Sequence, residues 1–161
     1  MKILTGMAAG LLWGIALIWV GTVHVNIPIF SYTWTLALAF LFPGLVLAAM
    51  IGRLAQRRFF DDATIDGEPF IPGSGANIDA RVLQNTIEQL VLALALWPIT
   101  GTVLAVDGPG VVVCLGIGFA IARLLFWVGY HVSPPLRAFG FAATFYPTLL
   151  GVGWAVLWWV F

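Results

Sequence analysis

RLLFWVGYHVSPPLRAFG, residues 123–140, sets two arginines into otherwise apolar sequence. Its first part reads as a helix, Ser133-Pro134-Pro135 forms a corner, and Arg137 opens the next apolar run. Arg123, Phe126 and Tyr130 are spaced i, i+3, i+7 and so share one helix face. A guanidinium inside an apolar helix costs about 2.5–3.5 kcal/mol on insertion scales unless it is paired, hydrated or able to reach water. Arg123 and Arg137 therefore call for a partner, and an anionic ligand would supply one.

The composition around this stretch is that of a membrane protein. Of 161 residues, 61% are hydrophobic and 9% charged, where a soluble domain carries about 25% charged residues. The formal net charge is zero, which gives no pull toward nucleic acid. The single cysteine, Cys114, sits in an apolar run and has no partner for an intrachain disulfide.

Outward from the corner, runs long enough to cross a ~30 Å hydrocarbon core cover 111–131 and 136–161. Before the tight turn DGPG at 107–110 comes 81–106, preceded by 33–51 and 3–23. The first run follows Lys2 like a signal peptide, but no small-x-small cleavage site follows it, so it is expected to be retained. Its Gly6, Gly10 and Gly14 make a stripe suited to close helix contact. Pro43 interrupts the second run and deprives the Ala39 carbonyl of its usual partner. Residues 52–80 are the one long polar segment, with Arg53, Arg57 and Arg58 followed by Asp61, Asp62, Asp66 and Glu68 and then PGSG at 72–75, and they read as a loop.

The fold expected is all-α and integral to the membrane, with five spans. Residues 1–30 form an extra N-terminal helix and turn, and residues 31–161 a four-helix domain carrying the 52–80 loop. Five spans put Lys2, the Arg53–Arg58 cluster, Arg81, Arg123 and Arg137 nearest one face. The positive-inside rule makes that face cytoplasmic, with Phe161 on the other side.

The third span opens with DARVLQNTIEQL, where Arg81, Asn85 and Glu88 fall at i, i+4, i+7 on one face. At 1.5 Å per residue they reach about 10 Å into the helix, close to the depth of Arg123. Two helices thus bring arginine, asparagine, glutamate and tyrosine to one level, with Arg137 beside them. One reading is purely structural: Glu88 pairs with Arg81 or Arg123, and Asn85 bonds across helices. Three arginines against one intramembrane carboxylate leave surplus positive charge, and that suits an anion.

RVLQNTIE resembles the R-x-x-x-N-x-x-E signature of the MAPEG proteins (membrane-associated proteins in eicosanoid and glutathione metabolism). ARLLFWVGYHVSPPLRAFG is similar to that family's segment of an arginine, a Gly-Tyr pair and a second arginine. The resemblance covers roughly 33–161 and implies a bacterial-type member with an added N-terminal helix, resident in the inner membrane. It further implies a homotrimer binding glutathione between subunits near the cytoplasmic face. By position, Arg81, Asn85, Glu88, Arg123 and Tyr130 would hold the tripeptide. Arg137 would stabilise its thiolate for attack on lipophilic electrophiles or lipid hydroperoxides. Gln89 and Phe126 depart from the eicosanoid-forming members, which tend to place tyrosines there.

Other residues carry less. His24 and His131 lie at opposite ends of helices and cannot share a metal, so no metal site is expected. The acidic loop residues read as solvated and the Trp154–Trp159 stretch as an interfacial belt. A non-enzymatic lipid-binding or scaffold protein on the same fold is the alternative function. A channel or transporter would need polar residues along its whole path, and the outer halves of these helices have almost none.

Overall fold

The computed structural model describes residues 2–161. Five α-helices follow one another: α1 Lys2–Val23, α2 Tyr32–Phe59, α3 Gly75–Val103, α4 Gly108–Val132 and α5 Pro134–Val160, with a single 3-10 turn at Ile29–Ser31. All five are long and apolar enough to cross a membrane, and no strand occurs among the described residues. The chain is an integral membrane protein with a helical fold.

The helices overrun the expected spans on both sides of the polar segment. α2 continues to Phe59 rather than stopping at Ile51, and α3 starts at Gly75 rather than Arg81, which shrinks the 52–80 loop to 60–74. Leu54, Ala55, Gln56, Arg57 and Arg58 are good helix formers, and nothing in that run breaks the backbone. Ser74 starts α3 as an N-cap, its hydroxyl accepting the Asn77 N–H at 3.2 Å. The shortened loop is tied back to α2. Arg58 donates to the carbonyls of Thr64 and Glu68 at 3.0 and 3.2 Å and lies over the Phe70 ring at 4.5 Å. The turn between α3 and α4 is shifted rather than shortened: α3 stops at Val103, and the connection falls at 104–107 instead of 107–110, because Pro109 already sits in the first turn of α4, where its missing N–H costs nothing.

Contacts across the bundle fix the direction of each helix. Arg57 at the end of α2 and His131 at the end of α4 both meet Asp79 at the start of α3. Gly6 near the start of α1 meets Pro135 and Phe139 at the start of α5. One end of the bundle therefore gathers the starts of α1, α3 and α5 and the finishes of α2 and α4. All seven basic residues lie toward this arginine end.

The core is aromatic in its middle and built on glycine at one seam. Trp97 of α3 is buried, stacks on Phe40 of α2 at 5.2 Å, meets the edge of Phe119 of α4, and donates its indole N–H to Thr148 of α5 at 3.1 Å. α1 runs parallel to α5, with Gly6, Gly10 and Gly14 facing Ala138, Ala142 and Pro147 in turn. A Cβ on Gly10 would stand 2.5 Å from the Ala142 Cβ and 2.8 Å from the Ala143 nitrogen, so only glycine allows this approach. Gly10→Leu is expected to lower stability by about 1–3 kcal/mol, read as a lower melting temperature in detergent. An unchanged melting temperature would contradict the seam.

Candidate functional site

Arg123 organises the arginine end from inside. It has 0% solvent exposure, yet no carboxylate lies within ion-pair distance of it among the described residues. One terminal nitrogen donates to the Asn85 side-chain oxygen at 2.8 Å; the other donates to the Gly140 carbonyl at 2.8 Å and the Thr144 hydroxyl at 2.9 Å. Its Nε is buried without a partner. Helices α3, α4 and α5 thus meet on a single guanidinium. Gly140 permits it: a Cβ there would lie 2.6 Å from the backbone of Phe126, so α5 could not otherwise come close enough to offer its carbonyl.

A file of alternating character runs outward from that residue. The Arg123 guanidinium lies over the Phe126 ring at 4.1 Å, Phe126 meets Tyr130 edge-on at 5.0 Å, and the Arg137 guanidinium lies over the Tyr130 ring at 5.0 Å. Each cation faces an electron-rich ring. Gly129 lets the two helices close at this corner, its α-hydrogen side turned directly onto the Arg137 backbone. Arg123 ends up buried, Tyr130 half-buried and Arg137 exposed.

Two hollows open beside this file and meet at Asn85. One, of about 380 Å³, is a polar groove along α3 lined by Asn77, Arg81, Gln84, Asn85 and Glu88. The other, of about 490 Å³, is lined by Asn85, Phe126, Tyr130, Arg137 and Phe141 together with Ile3 and Met7 of α1. Of the residues singled out in the sequence, Arg81, Asn85 and Glu88 share the first hollow, and Asn85, Tyr130 and Arg137 the second. Arg123 lines neither and acts on both by holding Asn85. Glu88 pairs with no arginine. It accepts from the amides of Gln84 and Asn85 at 3.0 and 3.4 Å, so the purely structural pairing with Arg81 or Arg123 does not form. Gln89 is buried, and Phe126 is packed against Arg123.

Asp79, which the sequence does not single out, accepts from more donors than any other carboxylate among the described residues. It is 4% exposed. One oxygen takes Arg57 Nε at 2.7 Å; the other takes the Trp127 indole N–H at 2.7 Å and His131 Nε2 at 2.9 Å, which requires that nitrogen to carry a proton. The signal that would have found it is Ser74. Starting the helix at that cap puts Asp79, Val82 and Thr86 on one buried face. Asp79→Ala would leave three donors without their acceptor, and a loss of about 3 kcal/mol is expected, measured by thermal unfolding in detergent.

The fold and this end of it define a class: a helical membrane protein with a polar, cation-rich recess at one end of the bundle. Residues 31–157 match the sequence model of the MAPEG family, and the chain belongs to that family. The match begins at the 3-10 turn before α2, so α1 precedes it. No curated protein and no solved structure matches the chain significantly.

Proposed function

We propose that the protein is a membrane-bound, glutathione-dependent transferase or peroxidase, working as a homotrimer in a bacterial inner membrane with its site on the cytoplasmic side. One arrangement carries this reading. Arg81 and Arg137, two exposed cations with no carboxylate partner among the described residues, line two hollows that meet at Asn85, and Glu88 stands free of arginine. Glutathione brings two carboxylates, one ammonium and one thiol, a complementary set. Its charged groups suit Arg81 and Glu88, with Asn85 and Tyr130 orienting the peptide by hydrogen bonds and Arg123 contributing through Asn85. Arg137 then lies where a fixed positive charge favours thiolate over thiol, the proton passing to water.

The thiolate sulfur has two classes of target. At an electrophilic carbon it forms a sulfur–carbon bond as the leaving group or the π-electron pair departs. At a hydroperoxide it bonds to the outer oxygen and breaks the O–O bond. That leaves an alcohol and a sulfenic acid, which a second thiol converts to disulfide and water. Family membership supports this chemistry as a class. The test is the ultraviolet absorbance of the thiolate when glutathione is added to the purified protein at neutral pH, and a saturable signal is expected. Its absence in folded protein would sink the reading. A lipid-binding protein without catalysis is the second reading, favoured by Phe126 and the buried Gln89, neither of which presents a phenol to the recess.

A further inference from the structure

The hollow that contains Arg137 is completed by a helix outside the family match. Ile3 and Met7 line it beside Tyr130, Phe126 and Arg137, and their four-residue spacing puts both on one face of α1. Between them Gly6 packs on the Pro135 carbonyl and the Phe139 nitrogen, the residues that bracket Arg137 at the start of α5. The wall and the cation are therefore mounted on the same turn. Removing α1 in thought leaves Pro135, Ala138 and Ala142 facing lipid and the hollow open on its side. With α1 in place the recess gains a wall on that side and is two-sided in character: Ile3, Met7 and Phe141 are apolar, Asn85, Tyr130 and Arg137 polar.

From this we infer that α1 is the substrate-side wall of the site, and that Ile3 and Met7 set the length of the alkyl tail it accepts. A volume of about 490 Å³ lies within the range of small-molecule sites. The occupant that fits both sides is an electrophile with a polar, electron-rich head toward Arg137 and an unbranched alkyl tail toward α1. A 2-alkenal is the simplest case. The thiolate sulfur bonds to the β-carbon, the π pair moves onto the carbonyl oxygen as an enolate beside the Arg137 charge, and the enolate takes a proton from water. This chemistry rests on the glutathione reading; the wall does not.

The experiment uses the full chain in lipid nanodiscs and two homologous series. One is 2-alkenals of rising length with glutathione, read as kcat/KM. The other is saturated n-alkanols of the same lengths without thiol, read as Kd by calorimetry. Each series is expected to gain affinity with length and then break off. In Met7→Trp the break moves to shorter tails, and the ratio of kcat/KM for the longest accepted alkenal to that for the shortest falls roughly tenfold. In Met7→Ala and Ile3→Ala it moves to longer tails, which keeps the test open should the tryptophan variant not fold. Identical length profiles in wild type and variants overturn the inference. If glutathione is not activated at all, the functional reading falls, and the alkanol series alone decides the wall: a shifted break upholds it and an unshifted one overturns it.

Discussion

Arg137→Ala is expected to abolish the thiolate signal and lower turnover by about 10²–10³-fold, the range seen when a single preorganised charge-stabilising donor is removed. A thiol of pKa about 8.5 is only about 3% thiolate at pH 7. Lowering that pKa by about two units makes the thiolate the major form, about three-quarters of the total. Arg137 is suited to such a shift because it is exposed toward the recess and has no carboxylate to neutralise it among the described residues. Its guanidinium lies over the Tyr130 ring at 5.0 Å, which aligns it without discharging it. The same geometry says that the bundle does not depend on it, so Arg137→Ala should melt close to the wild type. Loss of the fold along with the signal would assign Arg137 a structural role instead. Turnover that survived intact would remove it from the chemistry.

Arg123 should behave in the opposite way. Arg123→Ala empties the centre of the arginine end and strands the acceptors on Asn85, Gly140 and Thr144. A cavity of that size with unsatisfied acceptors amounts to about 3–5 kcal/mol, enough to prevent recovery of folded protein from membranes. Arg123→Met keeps most of the volume and removes the cost of burying a charge. Its stability should return to within about 1–2 kcal/mol of wild type, while Asn85, freed from its donor, no longer holds the junction of the two hollows. Folded but thiolate-silent protein is the expected result for Met, measured by thermal unfolding and thiolate absorbance on one preparation. If Met is as damaging as Ala to the fold, the guanidinium is an anchor for the bundle rather than an orienting group for Asn85.

The number of helices and their order could be read from apolar run length, because spanning a membrane demands about 20 apolar residues and this chain has five such runs. Helix ends at the arginine end could not. There the helices leave the apolar region and continue by local propensity and capping, as in Leu54–Arg58 and Ser74–Asn77, and hydropathy carries no record of either. The gathering of Asn85, Arg123, Tyr130 and Arg137 followed from helical spacing alone. The split between them did not. Whether an arginine turns into the bundle or out to the recess depends on which neighbouring helix comes close enough to offer an acceptor. For Arg123 that was decided by a glycine seventeen residues later. Asp79 was hidden for a similar reason, since its three partners come from two other helices, Arg57 from α2 and Trp127 and His131 from α4.

The parity of the bundle has an electrical consequence. A helix carries about half an elementary charge of positive sign at its N-terminus and the opposite at its C-terminus. A bundle of four alternating helices cancels these at each face, two against two. With α1 present, the arginine end holds three N-termini and two C-termini, which leaves about half a positive charge uncancelled there and its counterpart at the Phe161 end. This field comes from aligned peptide dipoles rather than side chains, so it is independent of side-chain titration. It points in the direction that draws an anion to the recess.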